Sequence, residues 1–391
     1  MTQFIKNFIT ALPRRLGGLA GRLAPVRRNK VLVCSYYGKG YGDNPKYIVD
    51  ALLKTGEKLR IIWLVKAGQQ DDQLPDGVER CVMGTFAAAY HQATAKVWID
   101  NSRKYFRFKR KDQFYLQTWH GFALKRIEKD VADQLDDAYV NQAVRDSRAT
   151  DLIVSDSDFM TGLYRNSFWY DGPVEQWGAP RNDIVVRGDG AVCAKVRAHY
   201  GLAPETAMVL YAPTFRADHS VEAYSLDYEK LLAVCREKFG SEFALLVRLH
   251  PILADVDTGI RYDGKRIINA TPYPDLQELL CAAAVVITDY SSLMFDFTLS
   301  GKPCFLFATD IEKYRQDRNF YFDLEALPFA IGTTNEELVW NIRAFDLEKY
   351  EAALKDFQKK TGMVTGGTAS DQCARRILEV IRQNRKDYRT V

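Results

Sequence analysis

The chain has 391 residues and a formal net charge of +4, and its 47% hydrophobic and 12% aromatic content supplies two sizeable cores and excludes intrinsic disorder. Its seven cysteines (Cys34, Cys81, Cys193, Cys235, Cys281, Cys304 and Cys373) are scattered and never form a Cys-x-x-Cys pair, which argues for reduced thiols in a cytosolic setting and against a zinc site. No apolar run reaches the roughly 18 residues of a membrane span. Residues 1–30 hold seven of the 54 basic residues and none of the 50 acidic ones, so the body is slightly acidic and offers no domain-wide basic surface for nucleic acid.

Residues 1–28 mix apolar side chains (Phe4, Ile5, Phe8, Ile9, Leu12, Leu16, Leu19, Leu23) with basic ones. Pro13, Arg14 and Arg15 interrupt the apolar core that a secretory signal needs. The pattern predicts an amphipathic segment on an anionic membrane surface, with a frayed basic tail as the alternative.

From Lys30 the chain alternates. Strands are expected at Val31–Tyr36, Leu59–Val65 and Val97–Asp100, and helices at Pro45–Lys54 and Phe86–Ala95, which predicts a doubly wound parallel sheet. The loop Gly38-Lys39-Gly40-Tyr41-Gly42-Asp43 fails as a dinucleotide fingerprint: its third glycine is misplaced, and the second strand ends in Val65-Lys66 with no acid for a ribose. The stretch Arg103–Lys111 has six basic residues in nine with aromatics between. It reads as a weak nucleic-acid signal, a solvated loop, or a surface for lipid headgroups.

The strand Phe114–Thr118 ends in Trp119-His120-Gly121. A lone histidine is more often structural, but the carboxyl end of a strand is where a doubly wound sheet binds ligands. A helix over 136–149, a strand Leu152–Ser155 and a helix over 158–169 follow, and the turn-rich stretch 178–190 reads as the inter-domain linker. The expected organisation is residues 1–28 as the membrane segment, 29–187 as one Rossmann-like domain and 188–391 as a second.

In the second half, strands Met208–Ala212, Ala244–Leu249 and Ala283–Thr288 all end in polar chemistry: Thr214 with Arg216, Arg248 with His250, and Asp289 with Ser291 and Ser292. Helices are expected at Tyr228–Phe239, 275–282 and 292–299, and a strand at 304–307. Convergence of an arginine, a histidine, hydroxyls and a helix N-terminus makes a diphosphate site. The alternative for Ser291 and Ser292 alone is helix capping. Residues 335–384 read as helical and packed against both halves.

The segments Gln117-Thr118-Trp119-His120-Gly121, Tyr211–Arg216, Arg248-Leu249-His250-Pro251 and Thr288–Asp296 together resemble the CDP-glycerol glycerophosphotransferase family, which builds teichoic acids and related phosphopolyol polymers. Further matches are Phe168–Gly172, Gly178–Asp183 and Gly301-Lys302-Pro303, so the resemblance runs from about Tyr36 to Phe322. It implies a GT-B arrangement of two Rossmann-like domains facing a cleft, the first for the acceptor and the second for the nucleotide donor. It implies transfer of glycerol phosphate from CDP-glycerol to a hydroxyl of a lipid-linked, undecaprenyl-type acceptor at the cytoplasmic membrane face, releasing CMP, in wall or capsule polymer synthesis. The family's two motif histidines fall on His120 and His250, and its donor-phosphate residues on Thr214, Arg216, Asp289, Ser291 and Ser292. After His120 the chain departs from the commoner Gly-Thr-Pro-Leu-Lys, carrying Gly121-Phe122-Ala123-Leu124-Lys125 instead.

The expected mechanism makes His120 the base for the acceptor hydroxyl. Arg216, His250, Ser291, Ser292 and a helix dipole neutralise developing phosphate charge. Asp289 orients His250 or a hydroxyl or fixes its loop, and Lys125 and Arg126 meet acceptor phosphates. No carboxylate cluster points to a metal site, although Mg²⁺ held loosely on the donor diphosphate is compatible. Rival readings are a CDP-ribitol transferase, a nucleotide-sugar glycosyltransferase on the same fold, and a non-enzymatic membrane scaffold. The oligomeric state is left open.

Overall fold

The computed structural model describes residues 3–69, 74–106, 108–216, 224–250, 259–312 and 320–383; Arg107, Pro251 and residue 384 of the expected C-terminal helical region lie outside them. The chain divides into two compact units. The first comprises Met1–His120, Glu128–Asp183 and Thr368–Val391, and the second Gly121–Ile127 and Ile184–Gly367.

The first unit is built on seven parallel strands: β1 (Arg27–Cys34), β2 (Arg60–Val65), β3 (Val78–Val82), β4 (Ala95–Asp100), β5 (Phe114–Gln117), β6 (Leu152–Ser155) and β7 (Val174–Gln176). Their order is β3-β2-β1-β4-β5-β6-β7. Strands buried on both faces read as continuous apolar runs, and here alternate residues feed two cores. Val31, Val33, Ile61, Trp63, Val97 and Ile99 pack on one face, while Leu32, Cys34, Ile62, Leu64 and Trp98 pack on the other. The expected strands and helices of this half are present with ends shifted by a residue or a few. The edge strands β3 and β7 are the omissions, because charged Glu79, Arg80 and Glu175 break the apolar pattern that marks a buried strand.

The second unit holds β8 (Ala207–Tyr211), β9 (Phe243–Val247), β10 (Ile267–Asn269), β11 (Val285–Thr288), β12 (Cys304–Phe307) and β13 (Ala330–Gly332), all parallel in the order β10-β9-β8-β11-β12-β13. Val209, Tyr211, Leu245, Val247, Val285 and Ile287 centre its core. In both sheets the strand order reverses once, between β1 and β4 and between β8 and β11. Those reversals create the crevices where open α/β sheets take ligands.

The chain passes from the first unit to the second between Asp183 and Ile184, inside the expected linker 178–190, where Arg181, Asn182 and Asp183 are buried and helices form at 183–187 and 190–199. The Asp183 carboxylate accepts the Ala369 and Ser370 amides (3.0 and 2.8 Å) and so caps the C-terminal helix 369–382. As expected, the C-terminal region packs against both units, through different helices. Helix 369–382 places Cys373, Ala374 and Ile377 in the first unit's core, whereas helix 335–343 places Leu338 and Ile342 in the second's.

One expectation is corrected, that of the basic stretch 103–111 as a solvated or lipid-facing surface. Arg103 and Lys104 are buried: Arg103 bridges Glu128 (2.6 Å) and Asp146 (3.3 Å), and Lys104 bridges Asp100 (2.9 Å). Lys109 pairs with Asp151 (2.8 Å), and Arg110 donates to the Ala24 carbonyl (2.7 Å). Most of this charge is spent inside the first unit.

The N-terminal segment forms helix α1 (Gln3–Leu23). It lies against helix α3 (Phe86–Thr94), so closely that a Cβ on Gly17 would come within 2.2 Å of the Phe86 carbonyl oxygen and one on Gly21 within 2.5 Å of the Ala93 Cβ. The opposite side carries Leu12, Leu16, Leu19 and Leu23, which are 39, 50, 58 and 83% exposed at helical spacing.

Candidate active site

In the first unit the polar residues gather at the carboxyl edge beside the β1/β4 reversal. Trp119 leaves β5 with φ +51°, its amide held by the Gln117 side chain (2.9 Å), and this turn carries His120. The Trp119 ring stacks on His120 with centroids 4.1 Å apart, and Tyr36 lies 5.4 Å away. The His120 Nδ1 is 2.6 Å from the Asn101 carbonyl oxygen. A carbonyl only accepts, so Nδ1 carries the proton and the Nε2 lone pair is left for another partner. Burial lowers the His120 pKa, against the Asn101 hydrogen bond and the Asp43 charge, so the neutral ring is favoured.

The supporting shell is charged. Asp43 accepts from Arg181 (2.8 Å), Asn101 Nδ2 (2.9 Å) and the Tyr36 hydroxyl (3.0 Å). Burial works against its charge, yet Arg181 and Asn101 hold its carboxyl below the usual range. Tyr36, Tyr37, Asp43 and Trp119 all have positive φ (41°, 58°, 58° and 51°). Such backbone costs about 1–3 kcal/mol per residue and collects where function requires it.

In the second unit Thr214 and Asp289 face each other across the β8/β11 reversal. Asp289 accepts the Thr214 amide (2.8 Å) and hydroxyl (2.5 Å), so of its expected roles the loop-fixing one is realised. Arg216 bridges Asp289 (2.9 Å) and Asp310 (2.7 Å) and donates to the Thr214 carbonyl (2.7 Å). Burial opposes its charge, but the Asp310 hydrogen bond and the two carboxylates raise its pKa. Its guanidinium is thus engaged within the protein, where it positions the Thr214 loop. Arg248 donates to the Ala270 (3.1 Å) and Tyr273 carbonyls, and burial lowers its pKa.

His250 is exposed, with its ring 5.3 Å from Phe215. Ser292 occupies the N-cap of the helix Leu293–Thr298 but makes no side-chain capping bond, and Ser291 reaches only the Leu293 amide at 3.5 Å. The capping alternative is therefore not what these hydroxyls do. The helix has six residues, too short for the dipole contribution first expected of it.

Lys125 and Arg126, expected on the acceptor side, belong by contact to the second unit. Phe122 is buried there against Phe295 (4.5 Å) and Phe322 (5.8 Å). Lys125 pairs with Phe320 in an isolated antiparallel bridge, the Phe320 ring lies 6.4 Å from Tyr290, and Arg126 covers the Tyr321 ring (5.4 Å). The apolar Phe122 supplies the anchor. Sequence reasoning also missed Asp43, Asn101, Arg181 and Asp310. All but Arg181 follow a strand's carboxyl end, the signal that picked out His120. Among the described residues, no group of three or more His, Cys, Asp or Glu is disposed to hold a metal ion.

Two doubly wound parallel sheets, each with its polar residues beside the single reversal of strand order, define an α/β protein built to bind ligands at those edges. A family model described as CDP-glycerol:poly(glycerophosphate) glycerophosphotransferase matches residues 20–379, and the chain belongs to that enzyme family. It is 29% identical over 374 residues to the teichoic acid poly(glycerol phosphate) polymerase of Staphylococcus epidermidis, covering 91% of this chain and 51% of that protein. It is 27% identical over 371 residues to the teichoic acid glycerol-phosphate transferase of Staphylococcus aureus, covering 90% and 93% respectively. The chain thus spans about half the length of the first relative and nearly all of the second. A solved structure of the wall teichoic acid polymerase TagF superposes with a TM-score of 0.84 at 27% identity, covering 96% of each chain.

Proposed function

We propose that this chain transfers glycerol phosphate from CDP-glycerol to a hydroxyl of a lipid-linked, undecaprenyl-type acceptor, releasing CMP, in the synthesis of a teichoic-acid or capsule-type polymer. The observation that carries the reading is the His120 ring, proton fixed on Nδ1 by the Asn101 carbonyl and Nε2 left basic, in a chain matched by the family over residues 20–379. In this reading the two units face a common cleft in the GT-B manner. His120 Nε2 removes the proton of the acceptor hydroxyl as its oxygen attacks the glycerol-bearing phosphorus, and the bond to the CMP oxygen breaks. Asp289 and Arg216 hold the Thr214 loop in place. The Ser291 and Ser292 hydroxyls donate to the diphosphate, and His250, Lys125 and Arg126 supply positive charge. Phosphoryl transfer depends chiefly on such positioning and charge neutralisation. No resident metal is invoked; Mg²⁺ can arrive loosely bound to the donor diphosphate.

A donor screen tests the reading. CMP is expected from CDP-glycerol in the presence of acceptor, with no nucleotide release from UDP-sugars. Faster turnover of CDP-ribitol would move the assignment to the other polyol, and turnover of a UDP-sugar alone would overturn it.

The same reading places the protein peripherally on the cytoplasmic membrane face, with the exposed leucines of α1 in the lipid and its arginines at the headgroups. Because α1 packs on α3, deleting it would uncover α3. Replacing Leu12, Leu16, Leu19 and Leu23 by Gln is the cleaner test. Burying such side chains is worth about 1.5–3 kcal/mol each, so binding to anionic vesicles should fall at least tenfold in a sedimentation assay. Unchanged binding would remove α1 as the anchor.

A further inference from the structure

A cavity of about 210 Å³ lies in the first unit beneath α1, outside the His120 site. One wall is α1, through Arg14 and Gly18. The others are α3, through Gln92, the residues Tyr105 and Phe108, and the helix Asp137–Ala149, through Arg145. Among the described residues, two arginines and no acidic residue line it. Arg14 and Arg145 are both exposed, and neither pairs with any described residue, whereas neighbouring cations are used: Arg22 lies 4.0 Å over the Phe108 ring, and Arg110 holds the α1 carbonyls of Gly21 and Ala24. Aromatic walls with two uncommitted guanidinia suit a ligand that is anionic at one end and apolar at the other.

We infer that this cavity binds the phosphate headgroup of an anionic amphiphile, one molecule per chain, with Arg14 and Arg145 on the phosphate and the aliphatic portion against Tyr105, Phe108 and α1. This goes beyond adsorption to a charged surface, because it requires a saturable site. It is also independent of the transfer chemistry, since its readout is binding alone.

The test is calorimetric titration of the full chain with dihexanoyl phosphatidic acid below its micellar concentration, with dihexanoylglycerol and inorganic phosphate as separate arms. Saturable binding of about one phosphatidic acid per chain is expected, with weaker binding of phosphate and none of the neutral lipid. Arg14→Gln with Arg145→Gln should weaken it at least tenfold. Gly18→Leu, which keeps both charges and starts from a position where a Cβ meets nothing within 4 Å, should do the same by occupying the cavity. Thermal melting matching wild type verifies that the variants fold. Absence of saturation, or equal affinity in wild type and both variants, would overturn the assignment. Phosphate binding as tightly as the lipid would overturn the amphiphile and leave a free-anion site.

Discussion

Replacing His120 by Ala should lower the rate of glycerol phosphate transfer about 10²–10⁴-fold, the usual worth of a positioned general base. The fold should survive, because the change removes one hydrogen bond, to the Asn101 carbonyl, worth about 1 kcal/mol net. A pH profile separates this from a structural effect. The ring must be neutral to accept a proton, and burial lowers its pKa below the ordinary histidine value. Wild-type kcat/KM should therefore be full at neutral pH and fall only as pH drops below about 6.5. His120→Ala should lose that acid limb along with its rate. A variant with near-normal rate and an unchanged limb would take the base role away from His120.

The second large effect is expected at Asp289, and it appears in stability as well as rate. Asp289 is 1% exposed and holds the Thr214 amide, the Thr214 hydroxyl and Arg216 together. Removing Asp289 leaves Arg216 with Asp310 as its one carboxylate partner and orphans the Thr214 amide and hydroxyl, each at about 1–3 kcal/mol. Asp289→Ala should therefore lower the melting temperature by several degrees and abolish transfer together. Thr214→Val, which keeps the backbone bond and loses only the hydroxyl, should cost about 1–2 kcal/mol. If Asp289→Ala melts like wild type, the Asp289–Arg216 pair does not hold the β8/β11 edge.

The α/β class and the parallel sheets were legible because strands buried on both faces leave long apolar runs, as at Val31–Cys34 and Val285–Thr288. Edge strands such as β3 were not, since Glu79 and Arg80 sit on a half-solvated rim. The positional rule placed His120 and Asp289 just beyond strand ends, where they lie, but it cannot say what a strand-end side chain touches. Arg216 and Arg248 carry the right charge for phosphate and spend it within the protein, on Asp289 and Asp310 in one case and on loop carbonyls in the other. Those partners lie 22 to 94 residues away in the chain, so no local pattern announces them. That Lys125 and Arg126 join the second unit was hidden for a similar reason: the Phe122 that draws their segment there finds its aromatic partners some 170 or more residues downstream, at Phe295 and Phe322. The membrane-facing reading of α1 came from its leucine spacing. Its close seat on α3 depends on Gly17 and Gly21, whose contribution is the absence of a side chain.

The identity of the transferred group decides between these activities. Incubating the full chain with CDP-glycerol and a synthetic lipid-linked acceptor, then weighing the acceptor by mass spectrometry, should show it heavier by one or more glycerol phosphate units, with CMP released in equal number and neither product formed by His120→Ala. An acceptor left unchanged by CDP-glycerol but extended from a nucleotide sugar would contradict it.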